Sequence, residues 1–171
     1  IGDSPYGEAV LFDGVDDAIF VDAAPLQGLS SFTVEVLLRP DAGGSLEPRF
    51  LHIGEVNGGR MMLEGRLTEE GQWSLDGYLR AGENYLVLLD RGLRHPVGRW
   101  AHAALVVRDG QAQTYVNGAF ELEGELDFHP IDSGAMSIGV RMNKKYWFRG
   151  AIHSIRITPR ALDPEAFTFQ P

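Results

Sequence analysis

Short runs in which apolar and polar positions alternate fill most of this chain, and glycines or charged pairs break them at nearly regular intervals. In SSFTVEVLLRPD, Phe32, Val34, Val36 and Leu38 alternate with Thr33, Glu35, Leu37 and Arg39, the period-two pattern of a half-buried strand. Pro40 then stops the ladder because it has no N–H to donate. Further strands are predicted at RFLHIG (49–54), RMMLEGRL (60–67), WSLDGYLR (73–80) and YLVLLD (85–90). WAHAALVV (100–107) alternates Ala101, Ala103, Leu105 and Val107 against Trp100, His102, Ala104 and Val106. A turn at RDG (108–110) leads into QAQTYVNG, where Asn117 and Gly118 both tolerate the positive φ of a type I′ turn. SIGVR (137–141) and FRGAIHSIRI (148–157) complete the set, and Ile152 is out of phase with Ile155 and Ile157, which predicts a bulge near His153 and Ser154.

One helical turn is predicted, in ALDPEAF, where Asp163 is placed to cap, Pro164 takes the first helical position and Glu165 favours the positive end. No long amphipathic helix, repeat or linker interrupts the strands. About a dozen short strands in one domain spanning residues 1–171 predict an all-β fold, a two-sheet antiparallel β-sandwich.

Composition narrows the function classes. No apolar run approaches the roughly 20 residues of a membrane-spanning helix. The formal charge is -9, from 15 Lys plus Arg against 24 Asp plus Glu, and the basic residues are scattered. Nucleic acid and membrane insertion are therefore not expected. Without cysteine there is no disulfide framework, thiolate metal site or thiol nucleophile. IGDSPYGEAV has neither a basic start nor an apolar core, so no signal peptide is read there, and a cytoplasmic chain, a processed secreted chain and an excised module all stay open.

Three segments carry a resemblance to a known family. FDGVDDAIFV followed by SSFTVEVLLRPD, then GRWAHAALVVRDGQAQTYVNG, then MSIGVRMNKKYWFRGAIHSIRITPRAL resemble the opening, central hairpin and closing strands of laminin G-like domains of the concanavalin A-like lectin/glucanase superfamily. The likeness runs from about Ala9 to Phe167. It implies a jelly roll of two curved sheets, a mostly extracellular or periplasmic setting, carbohydrate on the concave face or rim, and in many members a structural calcium. Other members are glycanases, polysaccharide lyases or protein-interaction modules, and the fold does not choose among them.

The candidate chemistry is sparse. In FDGVDDAIFV, Asp13-Gly14 and Asp16-Asp17 suit tight reversals. Clustered carboxylates also supply the oxygen ligands that calcium takes, so a bare turn and a calcium site at Asp13, Asp16 and Asp17 both stay open. The resemblance implies an acidic pair after Gly150, where this sequence has His153 and Ser154 instead, and that substitution weakens the calcium reading. ELEGELD (121–127) places Glu121, Glu123, Glu125 and Asp127 on one face if it is a regular strand, and a charged edge explains it better than a glycanase pair. The five histidines have no close metal-ligand spacing. His102 and Trp100 match positions that are architectural in the family.

Sugar binding asks for aromatic rings flanked by hydrogen-bonding groups. WSLDGYLR puts Asp76, Tyr78 and Arg80 on one face and Leu75 and Leu79 on the other, the most site-like strand in the chain. Gln111, Gln113 and Tyr115 share a parity, as do Glu35 and Arg39, though parity alone does not say which strands share a sheet. Tyr146 and Trp147 beside Lys144 and Lys145 offer a rim contact. The expectation is a non-catalytic lectin-like module with a glycan partner at Asp76, Tyr78, Arg80, Tyr115 and Trp147. A glycanase or lyase, and a protein-binding module, are the alternatives.

Overall fold

A computed structural model of the chain describes residues 1–169. Among these residues fourteen strands form two antiparallel seven-stranded sheets. The first sheet is ordered β1 (Gly2–Ser4), β2 (Gly7–Asp13), β14 (Arg149–Thr158), β4 (Phe32–Pro40), β10 (Ala101–Arg108), β11 (Gln111–Val116) and β12 (Ala119–Glu125). The second is ordered β3 (Ile19–Val21), β13 (Ala135–Ile138), β5 (Arg49–Gly54), β6 (Arg60–Leu67), β7 (Gln72–Ala81) and β8 (Asn84–Leu89), with the short β9 (His95–Pro96) on β7. This is the two-sheet sandwich that the strand pattern predicts. A 3-10 turn, Pro164–Ala166, lies where ALDPEAF placed it, but Asp163 makes no side-chain cap and pairs instead with Arg108 at 2.9 Å.

Period two explains the core. Phe32, Val34, Val36 and Leu38 of β4 meet Leu51, Ile53, Met61, Leu63, Leu75 and Leu79 of the second sheet in one buried cluster, closed at its ends by Trp73, Phe12, Phe50 and Phe148. Asn117 and Gly118 take φ of 51° and 75°, the type I′ turn expected, and His102 N–H donates to Asn117 Oδ1 at 2.9 Å to pin it. The register of β14 against β4 slips between Ile152 and Ser154, the bulge that the phase break predicted.

Three expectations are corrected. β4 and β10 are not half-buried but covered on both faces, because the C-terminal segment lays Leu162 and Phe167 over Ala104, Val106 and Tyr115. The turn after Asp13 does not fold a hairpin, since β2 pairs with β14 in the first sheet and β3 with β13 in the second. SIGVR leaves its strand after Ile138, where Gly139 takes φ +84° and starts a connection that carries Arg141 and Tyr146.

Candidate functional site

Residues 141–147 pass beside β5 of the second sheet, so that Tyr146 and Arg141 join the face turned away from the core. Cross-strand register fixes what that face displays. Arg60 of β6 stands opposite Arg80 of β7 and Arg80 opposite Tyr85 of β8, forming one row. Ser137, His52, Met62, Tyr78 and Val87 form the next, and Arg49, Glu64, Asp76 and Leu89 the one beyond. Gly54 makes the first row possible: at φ +113° any Cβ would lie 2.3 Å from the Gly59 oxygen, so only glycine lets the β5–β6 connection close onto Arg60.

One end of the face is neutralised. Glu64 Oε2 lies 3.1 Å from Arg49 Nε and 2.8 Å from Arg66 Nη2, and the same Arg66 nitrogen is 2.5 Å from Asp76 Oδ2. Asp76 is 1% exposed and its Oδ1 has no hydrogen-bond partner. Burial pushes its carboxyl up to about 6, with Arg66 pulling it down and the adjacent Glu64 carboxylate pushing it further up. Tyr146 takes φ +63°, a region bulky residues rarely adopt, and sets its ring 3.9 Å from the Arg49 guanidinium.

The other end is different. Tyr78 and Tyr85 lie nearly parallel, 12° apart with centroids at 6.3 Å, and Tyr85 is open to solvent. Arg60 sits 4.8 Å from the centre of the Tyr78 ring and donates to its hydroxyl at 3.1 Å. His52 is fully buried beside this group, and among the described residues neither ring nitrogen has a partner in good hydrogen-bond geometry, although the Gly54 and Glu55 backbone weakly favours its proton. Burial, helped by the Arg141 and Arg60 charges, pushes its imidazole down to about 4, so it is neutral at pH 7.

The structure separates the residues that parity alone could not assign. Tyr78 and Arg80 share this face, with Asp76 in its floor. Tyr115 lies on the outer face of the first sheet, its hydroxyl donating to Gln113 at 2.8 Å and its ring against Phe167. Trp147 is half-buried, and it is the preceding Tyr146 that reaches Arg49. Arg60 and Arg141 share this face, and nothing in the sequence singles them out. Arg60 has the parity of Glu64 and Arg66, which was readable once β6 and β7 were paired.

The remaining candidates resolve locally. Glu35 of β4 is buried under the C-terminal segment. Burial raises its carboxyl, but hydrogen bonds from His102 at 3.1 Å and from the Thr168 N–H at 2.7 Å outweigh that and hold it below its usual value. In β12 the register slips at Glu121, which leaves the row of Glu123 and Glu125 and pairs with His95 at 2.6 Å. An apolar cleft of about 350 Å³ opens between Val10, Ile155 and Ile157 of one sheet and Ile19, Met136 and Ile138 of the other, and its lining offers a sugar few polar groups beyond His153 and Ser154.

At the joint between the sheets, one carboxylate oxygen from each of Asp13, Asp16 and Asp17 lies within 4.8 Å of the others. That spacing fits a shared hard cation with oxygens about 2.4 Å away. Asp13 Oδ1 also accepts the N–H groups of Val15, Asp16 and Asp17 at 2.8, 3.2 and 3.4 Å, which holds its carboxyl below the usual range. Arg149, not His153, stands opposite Asp13 across the strands. His153 lies further along β14, its Nδ1 2.9 Å from the Glu8 carbonyl.

Comparison with known proteins agrees with this architecture. A sequence profile of the concanavalin A-like lectin/glucanases superfamily, laminin G type, matches residues 13–166. No match was found among curated protein sequences. Similar solved structures include domain 4 of AbnA, a GH43 extracellular arabinanase from Geobacillus stearothermophilus, in complex with arabinotriose (TM-score 0.73, 21% identity, 96% of this chain and 76% of that one). The CBM40 of the Ruminococcus gnavus IT-sialidase, bound to alpha2,3 sialyllactose, aligns at a TM-score of 0.65 and 16% identity over 92% of this chain and 93% of that one. Domains LG4-5 of the mouse laminin alpha1 chain align at 0.65 and 13% identity over 95% and 45%. At these identities the likeness is one of fold.

Proposed function

Because the chain belongs to the concanavalin A-like lectin/glucanase superfamily, we propose that it is a non-catalytic carbohydrate-binding module that holds a glycan across Tyr78, Tyr85, Arg60 and Arg80. The observation that carries this reading is the nearly parallel Tyr78 and Tyr85 pair flanked by fixed guanidinium donors. A pyranose or furanose ring presents C–H patches to such a platform and hydroxyls to its rim. The sugar-bound arabinanase domain and the sialyllactose-bound CBM40 support the same use of the scaffold. By the same likeness we place the protein outside the cell, and among the described residues no helix is long and apolar enough to cross a membrane.

The glycanase alternative is the weaker one for a physical reason. Glu64 and Asp76 are the acid pair on this face, yet both side chains are 2% exposed and both are bound to Arg66. A glycosidic oxygen has to reach the carboxyl that protonates it. The reading also includes a structural calcium held by Asp13, Asp16 and Asp17, supported by the three converging carboxylate oxygens.

A glycan array tests the central claim. Hits are expected, and Tyr78→Ala should weaken them by about tenfold or more, the cost of losing an aromatic anchor, while the fold persists. Hits indifferent to that substitution would move the site elsewhere.

A further inference from the structure

Charge is distributed unevenly over the outer face of the second sheet. Arg49 and Arg66 share Glu64 and Asp76, whereas Arg60, Arg80 and Arg141 form no ion pair with any described residue. This happens in a chain whose formal charge is -9, where carboxylates outnumber basic side chains. Each of the three guanidiniums is held by a backbone carbonyl: Arg60 donates to Gly58 at 3.0 Å, Arg80 to Gly82 at 2.9 Å and Arg141 to Val56 at 3.2 Å. Those bonds fix the side chains and leave most of their five donors apiece unused.

The three act on one another. Burial, then repulsion by Arg141 and Arg80, lowers the pKa of Arg60, with Tyr78 and Glu64 opposing. The acid in that balance, Glu64, is already committed to Arg49 and Arg66. Among the described residues Arg60 Nε and Arg141 Nε are buried without a hydrogen-bond partner, and Arg60 is only 7% exposed. Neutral His52 supplies no compensating charge. Partly desolvated cations fixed in place and lacking a counter-ion favour an anion over any neutral group, and guanidinium matches the planar, bidentate geometry of an oxyanion.

Resting on the glycan-binding reading above, we propose that the ligand of this face is an acidic polysaccharide, whose carboxylate or sulfate is clamped by Arg60, Arg80 and Arg141 while its ring lies on Tyr78 and Tyr85. The tyrosines hold the sugar and the arginines choose which sugar. The protein's net negative charge opposes diffuse attraction of a polyanion, so binding depends chiefly on this cluster and weakens as salt rises above about 0.1 M.

The test compares polygalacturonate, dextran sulfate and neutral arabinan by titration calorimetry against the wild type, Arg80→Gln, Arg141→Gln, Tyr78→Ala and the control Arg160→Gln beside the opposite sheet. Partly exposed Arg80 and Arg141 are chosen because replacing buried Arg60 risks the fold. At least one acidic polymer should bind more tightly than arabinan. Arg80→Gln and Arg141→Gln should each weaken it by about tenfold or more, as for lost charge-assisted hydrogen bonds, and Arg160→Gln by less than about twofold. Binding of only one acidic polymer supports the proposal and identifies the oxyanion. Arabinan bound as well as the acidic polymers, and lost in Tyr78→Ala, overturns the proposal while glycan binding stands. Equal losses in Arg160→Gln overturn it as diffuse attraction, and no binding of any polymer overturns both readings.

Discussion

Both sheets bury charged side chains on the face turned away from the core, but only the first covers that face with its own chain. There Glu35 has His102 and the Thr168 N–H as partners, and Phe167 packs against the rings of His102 and Tyr115. On the second sheet Arg49 and Arg66 are ion-paired with Glu64 and Asp76, while Arg60, Arg80 and Arg141 have only carbonyls and a tyrosine. A polar group inside a fold either finds a partner in the chain or remains costly until one arrives from outside. The first face is closed by its own chain except at His102 Nδ1, whereas the unpartnered groups of the second face are cations, and that is where an external partner relieves the most.

Opening the closed face should give the largest effect on stability. Phe167 is buried, and Phe167→Ala removes a large aromatic from it, which costs about 3 to 5 kcal/mol. Urea denaturation should show that loss while glycan affinity stays at the wild-type value. A loss under about 1 kcal/mol would mean that the C-terminal segment is a loose cover and that the two faces are not so different.

Titration sharpens the contrast inside the second face. His52 stays unprotonated in the fold down to about 4, whereas the unfolded imidazole gains its proton near 6.5. Acidification across that window therefore costs stability, roughly 3 kcal/mol at 1.36 kcal/mol per pH unit. Asp76 works in the opposite sense: folded, it keeps its proton up to about 6, and unfolded it releases it near 3.8. Its contribution is present at low pH and lost as pH rises through 6, by about the same amount. The wild type should show a nearly flat stability profile between about pH 4 and 6.5 because the two cancel. In His52→Gln, stability should rise on acidification, and in Asp76→Asn it should fall. Parallel profiles in the two variants would sink the assignment.

Sequence made the strands legible because period two survives wherever one side of a strand meets a core, and β5 and β6 fall on the residues that pattern picked out. It made less of the site legible. Tyr78 and Tyr115 have equivalent parity in their strands, yet they face away from the core on opposite sheets, because alternation assigns a side of a strand and not a neighbour. Tyr146 and Trp147 are adjacent, and positive φ at Lys144 and Tyr146 decides which ring meets Arg49. Arg60 and Arg141 are ordinary arginines in the sequence. They become unusual only when the acids around them prove to be committed elsewhere.

The smallest effect is expected where the two sheets join, and it distinguishes a turn that satisfies itself from one completed by an ion. Asp13 accepts three backbone N–H groups within its own turn, and Asp17 Oδ2 accepts the Asp13 N–H at 3.1 Å. Asp13→Ala removes the acceptor of an exposed turn and should lower the melting temperature by about 2 to 4 °C in chelator, and by more in millimolar calcium, where a ligand is lost as well. Asp16→Ala separates the two roles, because Asp16 enters the turn's bonds to Asp13 Oδ1 through its backbone N–H, which alanine keeps. With calcium bound, the wild type should melt higher in millimolar calcium than in chelator, since a ligand of the folded state alone stabilises it, and Asp16→Ala should erase that difference. Equal melting of the wild type in both buffers would leave a turn held only by Asp13 and Asp17, closed by its own chain like the covered face of the first sheet.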